Sequence, residues 1–211
     1  MYKIPHGYFI AVEGVDFAGK STLVPALTEW LKGCVDNVVS TGEPGGTPFA
    51  NAIRAVFKGD VSQHVSQTAM ALLVNAARHD HVLTVIIPAL ANQSIVVSDR
   101  YVCSTYMYQH DATELDAICE IGTAGLVPDL TILLDIDYLT YTQRMPQRRR
   151  EHDHLDCMDI ELFTKRRNAM LEFNNVYPFN TLLIDANGLT PAEVLDRCVV
   201  CLTERFKAIC Q

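Results

Sequence analysis

The segment GVDFAGKS, from Gly14 to Ser21, combines two glycines, a lysine and a serine at the spacing Gly-x4-Gly-Lys-Ser of a phosphate-binding loop. Glycine lets backbone amides turn toward phosphate oxygens because it has no Cβ. The spacing predicts that Lys20 reaches the β- and γ-phosphates of a nucleotide and that the Ser21 hydroxyl ligates Mg²⁺. The predicted phosphate site is a run of consecutive residues: Gly14, Val15, Asp16, Phe17, Ala18, Gly19, Lys20, Ser21 and Thr22.

ATP is the expected nucleotide. Proteins that select GTP read the base with an Asn-Lys-x-Asp segment, and the sequence has none. With Mg²⁺ as the expected cofactor, ATP would be the co-substrate of a phosphoryl transfer. A regulatory module that binds ATP without transferring its phosphate would carry the same loop, and this alternative stays open.

A second charged group, Asp99-Arg100, directly follows a predicted strand. Open α/β sheets bind their ligands at the carboxyl ends of the strands, so this pair is expected to face the ligand crevice. Phosphoryl transfer between two anions depends on positioning and on neutralising charge. Arg100 is therefore a candidate catalytic cation, and Asp99 is a candidate Mg²⁺ ligand, directly or through water. A surface ion pair is the alternative interpretation.

The elements that must position these residues alternate along the chain between short apolar runs and longer helical patterns. The nearly continuous apolar runs are typical of strands buried on both faces. Strands are predicted at 8–12, 37–41, 94–98, 130–136 and 181–184. Helices are predicted at 20–32, 48–58, 66–90, 113–122, 139–147, 160–177 and 191–208. This alternation predicts an α/β protein with a five-stranded parallel sheet and helices on both faces, in a single domain over 1–211.

Composition excludes several other classes of protein. The formal net charge of −8 argues against a nucleic-acid polymer as partner. No apolar run approaches the roughly 20 residues needed to cross a bilayer, so no membrane partner is expected. The seven cysteines are an odd number without framework spacing, which indicates reduced thiols and a cytoplasmic location.

The segment 143–158 is dense in charge and is interrupted by Pro146. This composition is typical of a mobile surface segment. It contains Arg144, Arg148, Arg149 and Arg150, four cations that could reach a nucleotide if the segment folded over the crevice.

Six segments together resemble the thymidylate kinase family. They are FIAVEG (9–14), EPGGT (43–47), AAR (76–78), SDRY (98–101), STYMYQ (104–109) and PDLT (128–131). The resemblance covers nearly the whole chain. It implies the three-layer P-loop kinase fold with a mobile lid, a homodimer, and transfer of the γ-phosphoryl group of ATP to dTMP.

The resemblance also implies roles for individual residues. Arg54 and Arg100 would hold the acceptor phosphate, and Asp16 would lie beside the 3′-hydroxyl of the acceptor sugar. Glu43 and Pro44 would lie near the acceptor. The residues implied around the thymine are Val74, Arg78, Thr105, Tyr108 and Gln109.

Phe17 identifies the bacterial-like subgroup of the family. Another subgroup has arginine at this position to support the transferred phosphate, which phenylalanine cannot do. In the subgroup without that arginine the lid supplies the cation, so Arg148 and Arg149 are implied as catalytic residues and Arg144 as an ATP ligand.

Three positions depart from the family pattern. Val74 replaces a phenylalanine that stacks on the thymine, Gly42 replaces an arginine, and Cys157 replaces an arginine of the lid. The first departure leaves a 5-modified deoxyuridine monophosphate, or a broader range of pyrimidine deoxynucleotides, as an alternative acceptor. For the homodimer, the apolar segment 70–74 is the expected contact.

Overall fold

The computed structural model describes residues 6–58, 65–145, 158–176 and 180–209. Its five strands form one parallel sheet in the order β2-β3-β1-β4-β5. The strands are Tyr8–Gly14 (β1), Val38–Gly42 (β2), Ile95–Asp99 (β3), Leu130–Asp135 (β4) and Thr181–Asp185 (β5). The predicted five-stranded parallel sheet is thereby confirmed, with strand bounds within two residues of the predicted ones.

Helices connect these strands and cover the sheet. They are Lys20–Lys32 (α1), Pro48–Lys58 (α2), Gln67–His81 (α3), Ile87–Ala91 (α4), Val102–Tyr108 (α5), Leu115–Thr123 (α6), Tyr138–Arg144 (α7), Ile160–Val176 (α8) and Pro191–Ile209 (α9). Alternate residues of β1 pack into two different clusters. Ile10 lies in the larger one with Leu27 and Phe206, whereas Phe9 packs with Val82 and Ile86 on the opposite face. Both faces of the sheet are therefore buried beneath helices.

The parallel register brings the carboxyl ends of the strands to one edge. Val12 of β1 pairs with Asp99 of β3, and Asp99 in turn pairs with Gly42 of β2. The phosphate-binding loop leaves β1 at this edge. Backbone pairing alone thus brings the strand ends together at the predicted crevice.

Two helical predictions were wrong in detail. The helix predicted at 66–90 is interrupted by a π-helical turn at Val82–Ile86. This wider turn directly precedes Pro88, whose nitrogen has no hydrogen to bond the carbonyl of Thr84. Helix α5 was not predicted, because its sequence VCSTYMY is rich in β-branched and aromatic residues of low helix propensity.

The helical stretch 67–91 is long and apolar enough to span a membrane by those two measures alone. Half of it is buried inside the protein, and the buried residues include Arg78 and His81. These features are those of a core helix. Within the expected dimer contact 70–74, Met70, Ala71 and Val74 are buried in the protein's own interior, whereas Leu72 is exposed. The contact itself stays a prediction.

Most of the predicted lid, 143–158, falls outside the described residues. Arg148 and Arg149 lie in that part, as do Arg150 and Cys157. Their predicted roles stay predictions.

Candidate active site

The loop after β1 has the backbone of an anion site. Gly14 has φ +151°, and a Cβ there would lie 2.7 Å from the carbonyl oxygen of Leu134. Gly19 has φ +111° and precedes α1 without a side-chain cap. The first amides of α1 therefore keep their donors for an anion, reinforced by the helix dipole. The loop borders a cavity of about 740 Å³, which Arg54, Asp99, Arg100 and Arg144 also line.

Lys20 is held in this loop by two backbone carbonyls. Its Nζ donates to the oxygens of Gly14 and Val15, both at 2.8 Å. Burial lowers the pKa of Lys20 to about 8, and the positive charge of Arg100 acts in the same direction. A phosphate would restore the missing counter-charge and raise this pKa again.

We expect ATP affinity to depend on pH through Lys20. The ammonium form of Lys20 binds phosphate, so the affinity for ATP is highest below pH 8. It falls as the pH rises through 8, by up to about tenfold per unit. Titration calorimetry from pH 7 to 9.5 measures this change. Lys20→Arg, which stays charged, should give a flat profile. A flat profile for the unmodified protein would contradict the assignment.

Asp16, Arg100 and Tyr108 form a compact cluster between the loop and α5. The Arg100 guanidinium donates to Asp16 Oδ1 at 2.5 Å, and the Tyr108 hydroxyl donates to Asp16 Oδ2 at 2.8 Å. Burial raises the pKa of Asp16, but Arg100 and Lys20 together hold it below its ordinary value. The carboxylate is therefore ionised and ready to accept a hydrogen bond from a sugar hydroxyl.

Arg100 occupies a backbone conformation that side chains seldom adopt, with φ +76°. Its amide donates to the carbonyl of Val12 at 2.9 Å, which fixes the turn after β3. A non-glycine residue held in this conformation indicates that its side chain is required where the turn directs it.

Asp99 offers an oxygen with no protein partner. Its Oδ1 is buried and unbonded, and Asp99 lines the same cavity as the exposed Ser21 at the start of α1. One carboxylate and one hydroxyl suit Mg²⁺, which is usually bound by few protein ligands together with substrate phosphates and water. Among the described residues no group of three His, Cys, Asp or Glu side chains could hold a metal alone. These residues therefore fit a phosphate-bound Mg²⁺.

A second cavity, of about 270 Å³, lies on the other side of Arg100. All the predicted acceptor residues except Asp16 border it: Glu43, Pro44, Arg54, Val74, Arg78, Arg100, Thr105, Tyr108 and Gln109. Asp16 borders the phosphate-loop cavity instead. The Thr105 hydroxyl is buried without a hydrogen-bond partner. An unpaired buried hydroxyl costs free energy unless a ligand satisfies it, so this cavity has a place for a polar edge.

Arg78 is fully buried and held by three elements. It donates to Glu43 Oε2 at 2.7 Å, to Asn75 Oδ1 at 2.7 Å and to the carbonyl of Tyr101 at 2.9 Å. The other oxygen of Glu43 lies 3.1 Å from His81 Nδ1. Glu43, which is predicted to lie near the acceptor, therefore also fixes the Arg78 guanidinium that borders the cavity.

Arg144, at the end of α7, joins two loops beside the phosphate site. Its guanidinium donates to the carbonyl of Ala18 at 3.1 Å and to that of Ala186 at 2.8 Å. Phe17 does not fill the role of a cation. Its ring packs on Tyr141 of α7, with centroids 5.6 Å apart.

Sequence reasoning missed Glu13 as a functional residue. It is fully buried and accepts hydrogen bonds from the amides of Tyr101 and Ser104 and from the Ser104 hydroxyl. Burial raises the pKa of Glu13, although these bonds and Arg100 oppose the shift. A carboxylate in an otherwise apolar strand was the available signal. Glu13 positions the start of α5, which carries Thr105 and Tyr108.

Phe57 of α2 is a second residue that sequence reasoning missed. It borders the 270 Å³ cavity together with Val74 of α3. Position 74 has no aromatic side chain, but Phe57 brings one to the same cavity from a neighbouring helix. Nothing local in the sequence distinguishes Phe57 from Phe49, which is 49% exposed on the same helix.

A loop for the phosphates of one nucleotide faces, across Arg100, a pocket able to hold a second one. This arrangement defines a P-loop nucleoside monophosphate kinase. A sequence comparison matches residues 12–196 to the family described as thymidylate kinase. The chain belongs to the thymidylate kinase family.

Curated relatives and a solved structure agree with this family. A thymidylate kinase of Leifsonia xyli subsp. xyli is 39% identical, covering 86% of this chain and 88% of the relative. One of Clavibacter sepedonicus is 37% identical, covering 90% of each chain. The crystal structure of thymidylate kinase from Ehrlichia chaffeensis has a TM-score of 0.74 at 25% identity, covering 94% of this chain and 99% of that one.

Proposed function

We propose that this chain transfers the γ-phosphoryl group of ATP to the phosphate of dTMP, giving dTDP and ADP. An oxygen of the dTMP phosphate attacks the γ-phosphorus, and the bond from that phosphorus to the β,γ-bridging oxygen breaks. The observation that carries this proposal is the position of Arg100, which borders both the phosphate-loop cavity and the acceptor cavity.

On the ATP side, the amides of the loop and of the start of α1 would bind the β- and γ-phosphates, with Lys20 as the neutralising cation. Arg144 and Thr22 border the same cavity, toward the side lined by Leu189 and Pro191. Ser21 and Asp99 would hold Mg²⁺, whose charge offsets that of the phosphates when it is bound.

On the acceptor side, Arg100 and Arg54 would bind the dTMP phosphate, since both border the two cavities. Asp16 would accept a hydrogen bond from the 3′-hydroxyl. Arg78 and the unpaired Thr105 hydroxyl would bond the polar edge of the base, and Gln109 is buried beside them. A site with such groups rejects analogues that leave them unpaired.

A panel of nucleoside monophosphates in a coupled ADP-release assay tests the proposal. We expect dTMP to give the highest kcat/KM, with dUMP, 5-hydroxymethyl-dUMP and dCMP run as competitors. Val74→Phe, run in parallel, should change the relative preference among these pyrimidines. Binding of ATP without release of ADP, whether or not a monophosphate is present, would instead support a module that binds ATP without transferring its phosphate.

We expect Phe57 to supply the aromatic contact with the base. Stacking on an aromatic side chain is worth about 1–3 kcal/mol per base in nucleic-acid binders, so Phe57→Leu should raise the KM for dTMP by about tenfold. The KM for ATP should be unchanged. Phe49→Leu on the same helix is the matched control, because Phe49 lies outside both cavities. Equal KM values for dTMP in the two variants would contradict a contact between Phe57 and the base.

Three further properties complete the proposal. The chain is a single domain over 1–211, a proposal supported by the one sheet that the described residues build. The location is the cytoplasm, in keeping with the free thiols of all five described cysteines. The chain forms a homodimer, supported by the exposed Leu72, Leu83 and Ile87 of the stretch 67–91; light scattering of the purified protein measures its mass.

A further inference from the structure

Three consecutive basic residues of α8 have different surroundings. Lys165 pairs with Asp111 at 2.9 Å on the surface, and Arg167 makes two bonds of 2.6 and 2.7 Å to Asp135. Arg166, between them, has no carboxylate within ion-pair distance in the part of the chain that the structure describes. Its Nε is buried without a hydrogen-bond partner.

The Arg166 guanidinium lies over the ring of Tyr108, with Cζ 4.3 Å from the ring centroid. Arg100 approaches the same ring, with its Cζ 5.1 Å from the centroid. The hydroxyl of this tyrosine is bonded to Asp16 in the phosphate loop. Two guanidinium groups therefore flank one aromatic residue at the junction of the phosphate loop and α5, and within the described residues only Arg100 of the two is bonded to a carboxylate.

A partly buried cation without a counter-charge is costly, even with the help of an aromatic face. Asp16 offsets this cost for Arg166 through space only, because its hydrogen bonds within the described residues are those from Arg100 and Tyr108. Burial raises the pKa of Asp16, and Arg100, Lys20 and Arg166 together hold it below its ordinary value, so the positive charge of Arg166 does reach the loop. An anion that enters at this junction would supply a counter-charge for Arg166.

We propose that Arg166 binds the phosphoryl group under transfer, as the cation that Phe17 does not supply from the phosphate loop. This inference rests on the proposed phosphoryl transfer and names a further catalytic residue for it. The transferred group spreads negative charge over its three equatorial oxygens as the bond to ADP breaks and the bond to the acceptor forms. The side chain of Arg166 has five donors in a planar fork and, within the described residues, no ion pair of its own to break.

The test compares Arg166→Ala and Arg166→Lys with Lys165→Ala, which removes the neighbouring charge and its surface ion pair. We expect Arg166→Ala to lower kcat by about 10²-fold or more, with the dissociation constants of ATP and dTMP within about threefold of those of the unmodified protein. Arg166→Lys should recover only part of kcat, because lysine lacks the planar fork. Lys165→Ala should keep kcat within about twofold.

Chemical rescue separates a catalytic role from a structural one. Methylguanidinium, added at tens of millimolar, should raise kcat of Arg166→Ala at least fivefold without changing the unmodified enzyme. A kcat within threefold of normal in Arg166→Ala overturns the proposal. Loss of kcat with a matching fall in melting temperature and no rescue overturns it as well.

The same assays distinguish this inference from the proposed function and from its competitor. An unmodified enzyme that phosphorylates no monophosphate overturns the proposed function and this inference together, whereas loss confined to Arg166 variants supports both. Arg148→Ala and Arg149→Ala test the competitor, the segment 143–158. If either costs at least 10²-fold in kcat while Arg166→Ala costs less than threefold, the cation comes from that segment.

Discussion

Lys20→Ala is expected to lower kcat by about 10³-fold, with little change in the thermal unfolding midpoint. Lys20 is the buried cation of the phosphate loop, and its only bonds in the described structure are those to the carbonyls of Gly14 and Val15. Its removal leaves the negative charge that develops on the β- and γ-phosphates without the nearest neutralising group. Steady-state kinetics with saturating dTMP measures the loss.

Lys32→Ala is the matched control. Lys32 ends the same helix and forms only a surface ion pair with Glu29, so its loss should change kcat by less than twofold. Near-normal turnover in Lys20→Ala would contradict the assignment of the phosphate site. Circular dichroism should show that both variants keep the helical content of the parent.

Arg100→Ala should reduce kcat/KM for dTMP by about 10³-fold or more, while the dissociation constant of ATP changes little. Arg100 borders both cavities, so it is expected to contact the acceptor phosphate before transfer and during it. Its loss also leaves Asp16 with Tyr108 as its remaining hydrogen-bond partner. The negative charge of Asp16, then offset only by the more distant Lys20 and Arg166, repels the incoming phosphate, which adds to the effect.

The backbone of Arg100 provides an internal control for Arg100→Ala. Alanine at φ +76° is strained, whereas glycine is not. Arg100→Gly should therefore be more stable to heat than Arg100→Ala and equally inactive. If Arg100→Gly regained activity along with stability, the defect of Arg100→Ala would be one of folding and the guanidinium would have no part in the reaction.

Local sequence was enough to predict the sheet and the phosphate loop. Each strand is a short apolar run between polar segments, and the loop needs only glycine, lysine and serine at fixed positions after the first strand. The residues implied around the acceptor by family resemblance, apart from Asp16, also border one cavity. Their assigned roles are proposals that the variants above test.

Features that depend on contacts distant in sequence could not be predicted. Helix α5 begins where the Glu13 carboxylate accepts a hydrogen bond from the amide of Ser104, which lies 91 residues later in the chain. The importance of Arg166 is visible only because its neighbours pair with Asp111 and Asp135 and it does not. In the sequence, Lys165, Arg166 and Arg167 are equivalent members of a charged helix.

The carboxylate of Glu13 has a consequence for how substrate choice can change over evolution. It joins the strand that leads into the phosphate loop to the helix that carries Thr105 and Tyr108. The spacing between the phosphate loop and the helix that borders the acceptor cavity is thus held by buried hydrogen bonds in the framework. Replacements at Val74 or Phe57 can retune which base is accepted while the reacting phosphates keep their alignment.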